Sequence, residues 1–125
     1  MSEVKFYKCP KCGKIVTVVH DAPVPLMCCG VEMQEMHANT TDAAVEKHVP
    51  VIERVNDELF VVVGSTEHPM IPEHYIEFVA LETDKGFRIA YLQPGDAPRV
   101  AILKGENVKA VYAYCNLHGL WKTEA

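Results

Sequence analysis

A chain of 125 residues, 49% hydrophobic and 23% charged, has the size and make-up of one globular domain, or of one domain with an appendage too short to own a core. A net charge of −5 without any basic cluster excludes a nucleic-acid surface, and no apolar stretch is long enough to span a bilayer. No leader with a basic start and a long apolar run opens the sequence, so the expected location is the cytoplasm. In that reducing compartment five cysteines, an odd number, point to metal ligation rather than disulfides.

The front of the chain, residues 1–37, carries Cys9-Pro10-Lys11-Cys12-Gly13 and then Cys28-Cys29-Gly30. The first pair reads as a knuckle, two thiolates separated by two residues, with Gly13 freeing the turn behind them. The second pair is adjacent, and neighbouring side chains diverge, so both sulfurs reach one metal only if the backbone bends sharply at Gly30. Four thiolates at these spacings suit a tetrahedral sulfur site for zinc or iron. A segment this short buries too little to fold without the metal bonds. His20 and His37 stand in polar surroundings and read as solvated.

The remainder, residues 38–125, is strand-rich. Asn39 to Lys47 offers one short helical turn, which Pro50 closes. Short strands are expected over Val51 to Val55, Leu59 to Val63, Tyr75 to Leu81, Phe87 to Leu92, Arg99 to Leu103 and Val108 to Tyr114, broken by Asn56-Asp57, Gly64, Asp84-Lys85-Gly86 and Pro94-Gly95-Asp96. About seven such strands predict an antiparallel β-sandwich of immunoglobulin-like type. Ile76, Phe78, Phe87, Ile89, Tyr91, Val111 and Trp121 are its expected core.

Four of the six histidines, His48, His68, His74 and His118, sit at edges between loop and apolar run, and Cys115 is left over from the front cluster. Four neutral imidazoles and one thiolate around a divalent ion leave a net charge near +1, and five ligands leave one octahedral position vacant. Imidazole suits iron, zinc or copper, and thiolate favours a softer centre. Three other readings stay open on the residues alone: a plain four-thiolate electron carrier, a structural protein with two zinc sites, and a Cys115–His118 nucleophilic pair.

Cys9-x-x-Cys12, Cys28-Cys29, Glu46-Lys47-His48-Val49-Pro50-Val51-Ile52-Glu53, His68-Pro69-Met70, Glu73-His74-Tyr75-Ile76 and Cys115-Asn116-Leu117-His118-Gly119 resemble the motifs of desulfoferrodoxin, the two-iron superoxide reductase. The resemblance runs over nearly the whole chain, in order and with compatible spacing. It implies a mainly β protein: a small desulforedoxin-like domain, 1–37, with iron on Cys9, Cys12, Cys28 and Cys29 (FeCys4), followed by the sandwich, 38–125. There a second mononuclear non-haem iron would have His48, His68, His74 and His118 as equatorial ligands and Cys115 as the axial one (FeHis4Cys). The implied activity is reduction of superoxide to hydrogen peroxide in oxidative-stress defence, with a rubredoxin-like electron donor and a homodimeric assembly. Lys47, next to ligand His48, would attract superoxide and stabilise developing charge, and Glu46 would offer a carboxylate to the vacant position after turnover. The chain departs from many relatives at Ala113, where they carry an acid two positions before the cysteine. An alanine there removes one means of tuning the Cys115 sulfur by hydrogen bonding.

Overall fold

The computed structural model describes residues 4–105 and 107–125 and divides into two compact units, Met1–His37 and Ala38–Ala125. In the first, β1 (Phe6–Lys8) lies between β2 (Ile15–Thr17) and β5 (Gln34–Glu35), while β3 (Met27–Cys28) and β4 (Val31–Glu32) form a separate hairpin. Among the described residues Phe6, Cys9 and Met33 are its buried apolar side chains, a very small core.

The second unit is an antiparallel sandwich of immunoglobulin-like type. One sheet has the order β10 (Arg99–Ile102), β7 (Glu58–Val63), β6 (Pro50–Val55); the other runs β12 (Gly119–Glu124), β11 (Val108–Cys115), β8 (Ile76–Thr83), β9 (Gly86–Tyr91). Asn56 and Asp57 close the β6–β7 hairpin, both at positive φ (49° and 66°), the conformation that matches a two-residue loop to the strands' right-handed twist. Val61 and Val63 from one sheet meet Ile76, Val79, Leu81, Val111 and Ala113 from the other, and Cys115 is counted in the same buried cluster. The core therefore runs into the site, and the strand ends that carry functional side chains rest on packed structure.

Several expected elements differ in detail. The only helix among the described residues, α1 (Val45–His48), starts later than the capping-type residues suggested; its N-cap is Ala44, without a side-chain cap bond. The segment beyond Cys115, assigned no strand from sequence, forms β12 and pairs with β11 from Ala110↔Glu124 to Cys115↔Gly119. Ile76, Phe78, Val111 and Trp121 are buried, but Phe87 is 36% and Tyr91 77% exposed. These two share the outer face of an edge strand, and it is Ala90 that packs on the core. Alternation reveals that a strand has two faces, not which one is covered. His20 and His37 are both exposed. No helix of the described residues is long and apolar enough to cross a membrane.

Candidate metal centres

The front cluster is built by two turns. After β1 the chain folds back so that the Cys9 N–H donates to the Lys14 carbonyl (2.9 Å) and the Gly13 N–H to the Cys9 carbonyl (3.0 Å), with Gly13 at φ 80°. The Cys12 N–H then points at the Cys9 sulfur, 3.5 Å away, and this contact leads in lowering the Cys9 thiol to about 6. Cys28 pairs with Val31, so Cys29 and Gly30 are the whole loop of the β3–β4 hairpin, both at positive φ (53° and 72°). A left-handed cysteine costs about 1–2 kcal/mol, and this turn is what lets two adjacent cysteines converge.

The four sulfurs lie within 4.8 Å of one another, with Cys12–Cys28 at 3.7 Å and Cys28–Cys29 at 3.9 Å. Sulfurs about 2.3 Å from a shared ion at tetrahedral angles stand about 3.8 Å apart, so the spacing already has the size of a filled site. Cys28 and Cys29 are pushed above the ordinary thiol range, chiefly by sharing a hydrogen with the Cys12 sulfur. Cys12 and Cys29 are exposed and Cys9 is buried, so one edge of the cluster faces solvent.

In the second unit His48 ends α1, His68 follows β7, His74 precedes β8, and Cys115 and His118 bracket the β11–β12 turn. Cys115↔Gly119 is the last pair of that hairpin; Gly119 sits at φ 79°, which closes a three-residue loop and sets Cys115 and His118 on one turn. The four imidazoles form a closed ring. Successive centroids His48–His68, His68–His74, His74–His118 and His118–His48 are 4.6, 4.7, 5.0 and 4.8 Å apart with planes 77–88° to each other, and the His48–His74 diagonal is 6.2 Å. Donor nitrogens of His48, His68 and His74 lie with the Cys115 sulfur in a mutual group within 4.8 Å. His118 joins through its Nδ1, 3.1 Å from His48 Nε2 and 3.8 Å from the Cys115 sulfur. Two nitrogens about 2.1 Å from one ion at a right angle are about 3.0 Å apart, close to the His48–His118 separation.

The surroundings fix the orientation and protonation of these rings. Nδ1 of His48 hydrogen-bonds the Ala44 carbonyl and Nδ1 of His68 the Pro69 carbonyl, each at 2.7 Å, which fixes the tautomer and leaves Nε2 unprotonated. Nε2 of His68 and of His74 is buried with no partner among the described residues. Orphaned buried nitrogens are costly and rare, and an ion bound among them satisfies both. Burial is the main cause that lowers His48, His68 and His74, and it takes His68 to about 4, so these rings are neutral at pH 7. Cys115 is fully buried; burial raises its thiol, opposed by the backbone N–H groups of Leu117 and His118. A sulfur with no solvent access, walled by four imidazoles, is a poor nucleophile for hydrolysis. Donor type, spacing and unsatisfied nitrogens fit two mononuclear non-haem iron sites, one of four sulfurs and one of imidazoles with a sulfur.

Glu46 and Lys47 are exposed on α1, two and one residues before buried His48. The loop after β7 grips this turn: the Thr66 N–H donates to the Glu46 carbonyl (2.8 Å) and the Gly64 N–H to the Val49 carbonyl (3.2 Å). Gly64, at φ 83°, leaves no room for a side chain, since a Cβ would collide with the Thr66 carbonyl and lie 2.7 Å from the Lys47 carbonyl oxygen. Ala113 belongs to the sandwich core between Val79 and Trp121, and the carboxylate acting on Cys115 is Glu77 of β8. Sequence reasoning gave Trp121 no part in the site. Its indole stacks on His48 (4.9 Å, 26°) and donates from Nε1 to the His118 carbonyl (3.1 Å). Its place three residues after His118, on a strand paired with the Cys115 strand, was the available signal.

A family model described as "Desulfoferrodoxin, N-terminal domain" matches residues 2–36, and one described as "Desulfoferrodoxin" matches residues 40–124. A desulfoferrodoxin of Nitratidesulfovibrio vulgaris is 46% identical over 99% of this chain and 98% of its own. A desulfoferrodoxin homolog of Archaeoglobus fulgidus is 45% identical over 98% of this chain and 99% of its own. Among solved structures, the superoxide reductase from Treponema pallidum superposes with a TM-score of 0.77 at 36% identity, covering 98% of this chain and 100% of that one. The first unit is accordingly desulforedoxin-like and the second the family's sandwich. With both models matched and relatives aligned end to end, the chain belongs to the desulfoferrodoxin family.

Proposed function

We propose that the chain is a superoxide reductase, converting superoxide to hydrogen peroxide by one-electron reduction without releasing dioxygen. The ligands assigned are His48, His68, His74, His118 and Cys115 in the second unit, and Cys9, Cys12, Cys28 and Cys29 in the first. The observation that carries the reading is the closed ring of four imidazoles with a buried sulfur among them. Its likeness along the whole chain to the Treponema pallidum superoxide reductase supports it.

A ferrous ion held by these five residues would supply the electron and Lewis acidity towards a small anion. The protein's own groups do the rest. Neutral rings present lone pairs without competing protons, and Nδ1–H bonds to carbonyls hold the His48 and His68 rings in place. Lys47, exposed beside His48, draws superoxide in against the overall negative charge of the chain. Its ammonium also stabilises the charge that grows on the reduced oxygen and orders a water to deliver the proton. Glu46, exposed two residues before His48, would offer a carboxylate to the oxidised ion. Cys115, screened from water, would hold the ion through its sulfur and raise the electron density there.

In the first unit, residues 1–37, the exposed Cys12 and Cys29 edge receives electrons from a rubredoxin-like donor. The working assembly is a cytoplasmic homodimer serving oxidative-stress defence. Pulse generation of superoxide in the presence of reduced, iron-loaded protein tests the activity: peroxide forms and dioxygen does not. Release of dioxygen in the ratio of a dismutation overturns it.

A further inference from the structure

Resting on the assignment of His74 as a ligand, we propose that Asn116 is a positioning residue that locks the His74 segment to the turn carrying Cys115 and His118. The β8–β11 ladder slips at its end: Tyr114 pairs with Phe78 but Cys115 with Ile76, so Glu77 is an unpaired extra residue just where the ligands begin. Beyond the slip, pairing is restored by the Asn116 side chain. The Asn116 N–H donates to the Tyr75 carbonyl (3.2 Å), and the Tyr75 N–H donates to Asn116 Oδ1 (3.0 Å) where a peptide carbonyl would ordinarily stand. Asn116 Nδ2 then donates to the Glu73 carbonyl (3.1 Å). One side chain thus holds the residue on either side of His74, across 41 and 43 positions of sequence.

The His74 ring lacks the contact that orients two of its neighbours. The rings of His48 and His68 are each pinned by a carbonyl at Nδ1, whereas among the described residues no carbonyl is bonded to the His74 ring and its Nε2 is unpartnered. Its direction is therefore set by its backbone, which a pair of hydrogen bonds ties to Ile71 (3.0 and 3.1 Å) and which the Asn116 side chain ties, through Glu73 and Tyr75, to the turn carrying Cys115 and His118. Only an amide supplies both halves: serine is too short to reach two strands' worth of partners, and aspartate keeps the acceptor while turning a carboxylate towards the Glu73 carbonyl.

The test uses the full chain loaded with iron, with Asn116→Ala and Asn116→Asp compared against wild type. The readouts are the visible absorption and electron paramagnetic resonance of the oxidised protein, and the rate of iron release to a chelator. The four-sulfur centre is an internal control that neither variant should disturb. Asn116→Ala is expected to shift the sulfur-to-iron absorption of the imidazole-ring centre and to speed its iron release about 10–100-fold. Asn116→Asp is expected to fall between Asn116→Ala and wild type. A native band and native iron retention in Asn116→Ala overturn the proposal, since a merely structural role would lower the melting temperature and leave the signature in place. If Asn116→Ala fails to fold, Asn116→Asp decides: a native signature there overturns the proposal and a shifted one supports it. Should wild type itself hold no iron at the ring, the ligand assignment falls, and this inference with it.

Discussion

Gly64→Ala isolates how tightly the loop after β7 holds the turn that carries Lys47 and His48. Gly64 and Gly95 both sit at positive φ (83° and 93°), so alanine at either pays about 1–2 kcal/mol for a left-handed backbone. At Gly95 the new Cβ meets nothing within 4 Å, and the cost ends there. At Gly64 the Lys47 carbonyl oxygen, 2.7 Å from the Cβ, must retreat by about 0.7 Å to reach ordinary contact, and the Thr66 carbonyl must give as well. Both obstacles are backbone, so relief means moving the turn, at about 1–3 kcal/mol beyond the backbone term. For a unit of this size that excess is worth about 5–20 °C in melting temperature. The assay is thermal unfolding of metal-free Gly64→Ala and Gly95→Ala by circular dichroism, with chelator competition for metal affinity. Gly64→Ala should melt well below Gly95→Ala and bind metal at the ring about 10–100-fold more weakly. Equal melting temperatures and equal affinities would refute the clamp.

Lys47→Ala should slow the second-order reaction of superoxide with the reduced protein about 3- to 10-fold and flatten its ionic-strength dependence, as measured after a superoxide pulse. An unchanged rate removes Lys47 from the mechanism. Cys12→Ser should abolish or alter the colour of the four-sulfur centre while the ring centre still reduces superoxide; activity lost with ring iron retained would mean the centres are strictly coupled. In the metal-free chain the buried His68 resists protonation down to about 4, whereas an unfolded chain takes up the proton near 6.5. Stability is therefore present above about 6.5 and lost as the pH falls through about 4, by about 3 kcal/mol from this ring alone. Melting curves of metal-free protein across that window check the sign, and a flat profile contradicts it.

Much of the architecture was legible because it is local. Turn residues such as Asn56-Asp57 mark hairpins wherever they occur, and period-two alternation marks strands. The gathering of His48, His68, His74, His118 and Cys115 could be anticipated because each stands in a distinctive short motif at the edge of an apolar run. What stayed hidden is non-local. Which face of β9 is covered depends on a second sheet, so Phe87 and Tyr91 read as core although they face out. Asn116 and Trp121 show their roles only once residues far apart in sequence are brought together. The left-handed Cys29 is hidden for a different reason: Gly30 beside it is the ordinary hinge, and residues with a Cβ are rarely found in that conformation.

Trp121 is the sole tryptophan of the chain, and it stacks on the His48 ring while bonded to the backbone of His118. Its ultraviolet emission therefore reports from inside the ring centre with no label attached. A transition-metal ion arriving a few ångströms away quenches such an emitter, and its removal restores the light. Filling and emptying of the ring centre can thus be followed in real time.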